Sequence, residues 1–211
     1  MTPRRYDMAG RARQTAATRR RIIGAATDLH ARQGVLATSW EEIAERAEVA
    51  PATVYRHFPS LVELIPACAR TIFDIIKPPT IDEAATKFAA APTAAARLEI
   101  LIRDSCACYA KGEGWLHAAR RERDLIPAVG DAVALQERTL AVLVRAAVHG
   151  TGMSRGDLAV LQTFCDFPFW KSLIDMGVAR TRVADVIVDV ATSYLEEHSK
   201  DVDAERTRRK K

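Results

Sequence analysis

The stretch that decides the fold is residues 39–58, "SWEEIAERAEVAPATVYRHF". Ser39 with Glu42 three residues later fits a capping box at the start of a short helix. Pro51 suits the first turn of another helix, because its missing N–H would have no helical partner there. Since only a few residues separate the two helices, they must cross at a steep angle. This pattern predicts a helix-turn-helix.

The flanking residues complete a three-helix domain. Ile22, Ala26 and Leu29 follow a helical repeat, and Gly34 stands where a helix often ends, so a first helix is predicted over about residues 15–33. Residues expected to face the core from the second and third helices are Ile43, Ala44, Ala47, Val54 and Phe58.

After Ser60 the chain consists of long amphipathic segments separated by proline- or glycine-containing breaks, and no strand pattern competes with them. Further helices are predicted near 61–77, 81–90, 93–110, 115–123, 128–148, 156–175 and 182–198. The fold class is therefore all-α. The predicted organisation is a flexible basic arm (1–14), a helix-turn-helix domain (15–60), a larger helical domain (61–198) and a basic disordered tail (199–211).

Positive charge is concentrated at the two ends of the chain. Residues 1–60 hold ten arginines and six acidic residues, and residues 199–211 hold six basic and three acidic residues. Such clusters neutralise phosphates or form solvated tails. No apolar run reaches the roughly 18 to 20 residues that span a bilayer, and the arginine-containing N-terminus lacks the apolar region of a secretory signal. We expect a cytoplasmic protein.

The four cysteines, Cys68, Cys106, Cys108 and Cys165, are too few for a disulfide scaffold of 211 residues. Cys106 and Cys108 are two residues apart, which on a helix makes their thiols diverge. We expect packed or pocket-lining cysteines rather than a metal site, and no cofactor is predicted.

Residues 18–64, "TRRRIIGAATDLHARQGVLATSWEEIAERAEVAPATVYRHFPSLVEL", resemble the N-terminal DNA-binding domain of the TetR family of bacterial transcription regulators. That family typically has an Ile-x-x-Ala-Ala helix, then Gly, Thr-Ser, Ile-Ala, Val and Thr-x-Tyr-x-His-Phe. Matches at several separated positions make the resemblance specific.

The resemblance implies a DNA-contact surface of eight residues. Those that would lie at phosphates are Ser39, Trp40 (through its backbone), Tyr55 and His57. Those that would face base edges are Ala52, Thr53 and Arg56, with Pro51 beside them. At such positions an arginine can bond guanine O6 and N7, and small side chains can contact a thymine methyl group.

Three departures from the family pattern stand out. Glu48 replaces a common glycine in the turn, so the turn either avoids positive φ or strains Glu48. Ala50 replaces a common capping serine, and Leu61 replaces a common phosphate-binding lysine. Arginines expected to replace that lysine's contact, at phosphates or in the minor groove, are Arg11, Arg13, Arg19, Arg20 and Arg21. His30 stands where the family often has phenylalanine and is expected to pack or cap.

Two helices near the C-terminus carry an apolar stripe, which alone fits either an internal core or a dimer interface. TetR-family members pair their last two long helices across a two-fold axis, so the resemblance implies a homodimer. The predicted interface residues are Leu158, Leu161, Phe164, Cys165, Val183, Val186, Ile187, Val190 and Tyr194.

Family members also bind a small molecule among the helices of the larger domain, and the ligand moves the DNA-binding domains out of register. Candidate ligand-binding residues, each also compatible with an ordinary core, are Phe73, Phe88, Cys106, Tyr109, Trp115 and His117.

The leading hypothesis is a sequence-specific transcriptional regulator, a ligand-released repressor that binds an inverted-repeat operator on double-stranded DNA as a dimer. One alternative is a small helical enzyme using Cys106, His117, Glu113 or Asp124. No nucleophile–base pair, di-iron motif or phosphate-binding glycine loop supports that alternative, so no enzymatic activity is predicted. Another alternative is a protein that coats DNA without sequence preference.

Overall fold

The computed structural model describes residues 8–199, and these residues form helices and no strand. The helices are α1 (Met8–Gln33), α2 (Trp40–Arg46), α3 (Pro51–His57), α4 (Leu61–Ile76), α5 (Ile81–Ala89), α6 (Ala94–Glu122), α7 (Pro127–Ala147), α8 (Arg155–Cys165), α9 (Phe167–Asp175) and α10 (Val183–His198). The all-α prediction is confirmed.

The described residues form two compact units. The first contains residues 8–75 and 114–133, and the second contains residues 76–113 and 134–199. Helices α6 and α7 each contribute residues to both units. No helix within residues 8–199 is both long and apolar enough to cross a membrane.

Helix α1 begins at Met8, seven residues before the predicted start. Residues 8–14 of the predicted flexible arm are therefore helical, because the alanines, arginines and glutamine there are good helix formers. Residues 1–7 of that arm lie outside the described part, as do residues 200–211 of the predicted tail. Gly34 ends α1 with a φ of 94°, a conformation that favours glycine.

The core beneath the helix-turn-helix consists of the apolar residues expected from the sequence. Ile22 of α1, Ile43 of α2 and Val54 of α3 are fully or almost fully buried, and so is Phe58 just after α3. Burying one such side chain contributes about 1.5 to 3 kcal/mol. Helices α1, α2 and α3 thereby hold each other in place.

The predicted break at residues 111–114 is wrong, because α6 runs without interruption through Lys111-Gly112-Glu113-Gly114. At Gly114 a Cβ atom would lie 2.6 Å from the carbonyl oxygen of Ala31, so the glycine permits close contact with α1. A glycine within a helix lowers the stability by only about 1 kcal/mol relative to alanine, and packing can offset this loss. Gly114 therefore marks a close contact between α6 and α1 and not a helix end.

The single helix predicted over 156–175 is instead two helices, α8 and α9. Asp166 has an extended backbone, and its carboxylate accepts a hydrogen bond from the N–H of Phe167 at 2.7 Å. Pro168 follows in the first turn of α9, where its missing N–H costs nothing. This aspartate–proline pair ends one helix and starts the next.

An aromatic cluster fills the second unit near that break. The Tyr109 ring centroid lies 5.6 Å from that of Phe167 and 6.1 Å from that of Trp170, in edge-on geometries. The Tyr109 hydroxyl donates to the carbonyl oxygen of Cys165 at 2.8 Å. This contact joins α6 to the end of α8.

Candidate nucleic-acid interface

The seven-residue helix α3 has one buried side and one exposed side. Val54 is completely buried beneath it, whereas Tyr55 is 45% exposed. The other predicted contact residues on this helix are exposed (Pro51, Ala52, Arg56) or half-buried (Thr53, His57). The structure therefore brings six of the eight residues predicted to contact DNA together on one short helix, while Ser39 and Trp40 lie at the start of α2.

The N-terminus of α2 carries a complete capping box, as predicted. The N–H of Glu42 donates to Ser39 Oγ at 3.1 Å, and the N–H of Ser39 donates to the Glu42 carboxylate at 2.7 Å. The hydrogen bonds from the Ser39 backbone, the Gln33 side chain and the Ser39 hydroxyl hold the pKa of Glu42 below its usual value. Ser39 is a helix cap, and its phosphate contact stays a prediction.

Trp40 and Tyr55 form an aromatic contact between α2 and α3. Their ring centroids are 5.3 Å apart with the planes tilted by 36°. Because Tyr55 is largely exposed, it is not a core aromatic residue, which was the structural alternative for this position. The contact with Trp40 limits the orientations of the Tyr55 ring and so places its hydroxyl at the surface.

The turn between α2 and α3 is strained at Glu48, which has a φ of 52°. Hydrogen bonds from the N–H groups of Glu48 and Val49 to the carbonyl oxygens of Glu45 and Ala44, both 3.0 Å, hold the turn closed. Ala50 at the start of α3 makes no side-chain cap. Two of the three departures noted in the sequence, Glu48 and Ala50, therefore have structural consequences.

The arginines of α1 and His57 at the end of α3 differ in their surroundings. The Arg19 guanidinium donates to the carbonyl oxygen of His57 at 3.0 Å and lies 4.0 Å from the centroid of the Phe58 ring. Partial burial, Arg56 and Arg19, in that order, lower the pKa of His57. The neutral imidazole is therefore favoured in the free protein. Arg11, Arg13 and Arg20 are exposed.

Residues 22–68 match the sequence model of the bacterial regulatory proteins of the tetR family. This part of the chain is a DNA-binding domain of the TetR-family type. The match covers the second half of α1, all of α2 and α3 and the first half of α4, and it supports a role in DNA-binding regulation of transcription.

Solved structures share the fold of this chain. A TetR-family transcriptional regulator from Mesorhizobium loti is 21% identical with a TM-score of 0.62, covering 89% of this chain and 99% of its own. A TetR transcription regulator from Haloarcula marismortui is 14% identical with a TM-score of 0.62, covering 88% and 100%. A transcriptional regulator from Saccharomonospora viridis, in complex with choline, is 20% identical with a TM-score of 0.58, covering 87% and 98%. No curated protein sequence matches significantly.

The predicted ligand-binding residues differ in burial. Phe88, Cys106 and Tyr109 are buried in the second unit, and Trp115 is buried in the first, where Phe73 is half-buried. His117 is exposed, so within its unit it does not line a closed interior cavity. His117 lies on the exposed side of α6, while the residues next to it in the sequence are buried.

The groups considered for an enzyme lie in different surroundings. Burial raises the pKa of the Cys106 thiol to about 12, so the reactive thiolate is scarce at neutral pH. Glu113 is paired with Arg180 at 2.5 Å and Lys171 at 3.6 Å, and Asp124 is exposed. The Glu113 pairing joins α6, α9 and the segment before α10.

The residues predicted to form the dimer interface lie on two faces of α8 and α10. Leu161, Cys165, Val183 and Ile187 are buried within the single chain, because α8 and α10 pack against each other there. Leu158, Phe164, Val186, Val190 and Tyr194 keep partly exposed side chains. Phe164, Val190 and Tyr194 line a shallow groove of about 420 Å³.

Glu122 and His30 are buried polar residues. The sequence indicated that His30 packs or caps, but it did not reveal the position of Glu122. Glu122 is 3% exposed and accepts a hydrogen bond from the N–H of Val35 at 2.7 Å, so α6 holds the end of α1. His30 is 1% exposed, and burial lowers its pKa to about 4, partly countered by the nearby Glu122 charge. No local pattern signals these contacts, since Glu122 is 87 residues from Val35.

Proposed function

We propose that this TetR-family regulator binds a specific DNA sequence and represses transcription until a small molecule releases it. The observation that carries the proposal is the exposed side of α3, where Thr53, Tyr55 and Arg56 stand above the buried Val54 and Phe58. A helix of this kind in a helix-turn-helix enters the major groove. There Arg56 can bond a guanine, and Thr53 can contact a thymine methyl group.

Dimerisation supplies the symmetry for a longer target. The partly exposed residues Phe164, Val190 and Tyr194 form an aromatic and aliphatic surface on α8 and α10, which suits pairing with a second copy. Two recognition helices about 34 to 36 Å apart then meet successive major-groove faces. We therefore propose an inverted-repeat operator.

A small-molecule effector is the proposed signal for release. The Saccharomonospora viridis structure contains choline, and a multidrug binding protein, EbrR, 20% identical with a TM-score of 0.52, contains imidazole. Phe88, Cys106 and Tyr109 are the candidates in the second unit for contacting such a molecule. A regulator of this kind would act in the cytoplasm, where bacterial DNA lies.

Selection of bound fragments from random double-stranded DNA tests the proposal. The protein should enrich an inverted repeat, and Arg56→Ala should cost about 1 to 3 kcal/mol in affinity and relax one position of each half-site. Arg20→Ala, which removes an exposed arginine of α1, is the matched control and should leave the preferred sequence unchanged.

Two results would count against parts of the proposal. Equal losses on all sequences for Arg56→Ala would make Arg56 a phosphate contact and not a base reader. Salt-dependent binding without enrichment of any sequence would favour the DNA-coating alternative and refute sequence-specific regulation.

A further inference from the structure

Arg19 differs from the neighbouring arginines of α1 because its side chain turns to the end of α3. It donates to the His57 carbonyl oxygen at 3.0 Å, and its guanidinium carbon lies 4.0 Å from the Phe58 ring centroid. The Arg19 side chain is half-buried, whereas Arg20 is exposed. Arg19 is therefore engaged within the three-helix domain.

Helix α3 needs support from outside itself. It has seven residues, too few for a helix that is stable alone. Ala50 supplies no side-chain cap at its start, and Glu48 in the turn before it has a positive φ. A bond at the other end of the helix therefore adds to the core contacts of Val54 and Phe58 in fixing its position.

The His57 carbonyl is one of the last carbonyls of α3, which lack partners within the helix. A cation at that end is also favoured by the helix dipole. The planar guanidinium satisfies both conditions and stacks on the face of Phe58, a completely buried residue that anchors the end of α3. Lysine would retain the charge but not this combined geometry.

We propose that Arg19 is a positioning residue for DNA recognition. It fixes the tilt of α3 relative to α1, and thereby the positions of Tyr55 and Arg56, instead of binding a phosphate as the sequence suggested. This inference rests on the proposed DNA-binding function. It assigns to Arg19 an effect on discrimination between sequences, whereas a phosphate contact affects all sequences alike.

The test compares Arg19→Met, Arg19→Lys and Arg20→Met with the unmodified full chain. Affinities are measured for the selected DNA fragment and for a random fragment over a range of salt concentrations. Arg19→Met should weaken binding to the selected fragment about tenfold, from the lost hydrogen bond and dipole interaction, and barely change binding to the random one. Its salt slope should match that of the unmodified chain, and Arg19→Lys should not restore affinity. Arg20→Met should preserve the ratio between the two fragments.

A phosphate contact would give the opposite results. The salt slope would become shallower by about 0.9, both fragments would lose affinity equally, and lysine would restore binding. Any of these three results overturns the positioning role. If circular dichroism shows that Arg19→Met does not fold, Arg19→Lys serves as the test. Full DNA affinity in Arg19→Lys would overturn the positioning role. Failure of the unmodified chain to select any sequence would instead refute the proposed function, and this inference with it.

Discussion

Gly34→Ala tests how the end of α1 is held. Gly34 has a φ of 94°, and a Cβ there would lie 2.2 Å from Glu122 Oε1 and 2.6 Å from Arg121 Nη2. An alanine in this backbone region costs about 1 to 2 kcal/mol. Moving the Glu122 carboxylate also takes it from the buried N–H of Val35, and an unsatisfied buried group costs about 1 to 3 kcal/mol. We expect the free energy of unfolding to fall by about 2 to 5 kcal/mol.

Urea unfolding followed by circular dichroism measures this loss. Gly177→Ala is the matched control, because Gly177 has a similar φ of 92° with nothing within 4 Å of the added Cβ. It should show the backbone cost alone, about 1 to 2 kcal/mol. In a Glu122→Ala background, the effect of Gly34→Ala should shrink toward that of the control, since the collision with the carboxylate is gone. Equal losses for Gly34→Ala and Gly177→Ala would refute the role given to Glu122.

Two further predictions concern the DNA-binding surface. The pKa of His57 is lowered in the free protein, mainly by burial and by Arg56, while a phosphate would favour the protonated imidazole. Binding should then take up a proton, so DNA affinity, measured by fluorescence anisotropy, should rise as pH falls from 8 to 6. His57→Gln should flatten this pH profile of affinity. A pH profile that is the same in His57→Gln and the unmodified chain would exclude a phosphate contact by His57. Glu48→Gly should raise the free energy of unfolding by about 0.5 to 1 kcal/mol, because relief of the left-handed backbone exceeds the added unfolded-state entropy. Glu48→Ala keeps the strain and should give no gain, and a gain equal to that of glycine would attribute the effect to the lost carboxylate.

Local signals in the sequence were sufficient to predict the three-helix domain. The Ser39–Glu42 box, Pro51 and Gly34 mark helix ends within a few residues of where they occur, because caps and prolines act on neighbouring backbone groups. The apolar repeat also identified Val54 and Phe58 as core, so the exposed side of α3 followed from the sequence.

Local signals failed where distant parts of the chain decide the outcome. The glycines of α6 predict a break, but Gly114 is in a close contact with Ala31, which is far away in sequence. The apolar stripe on α8 and α10 was predicted correctly as a stripe, yet periodicity does not say which partner covers each side. The structure buries Leu161 and Ile187 within the chain and leaves Phe164 and Val190 partly exposed.

By itself, then, the sequence determined the helix-turn-helix, its caps and the residues displayed on α3, because each depends on neighbours within about four residues. Only the tertiary structure decided that Arg19 holds the end of α3 and that Glu122 holds the end of α1. Both contacts join residues 38 or 87 positions apart, and a charged side chain has the same local pattern whether it faces solvent or a helix end. Packing of the helices chooses between those two environments.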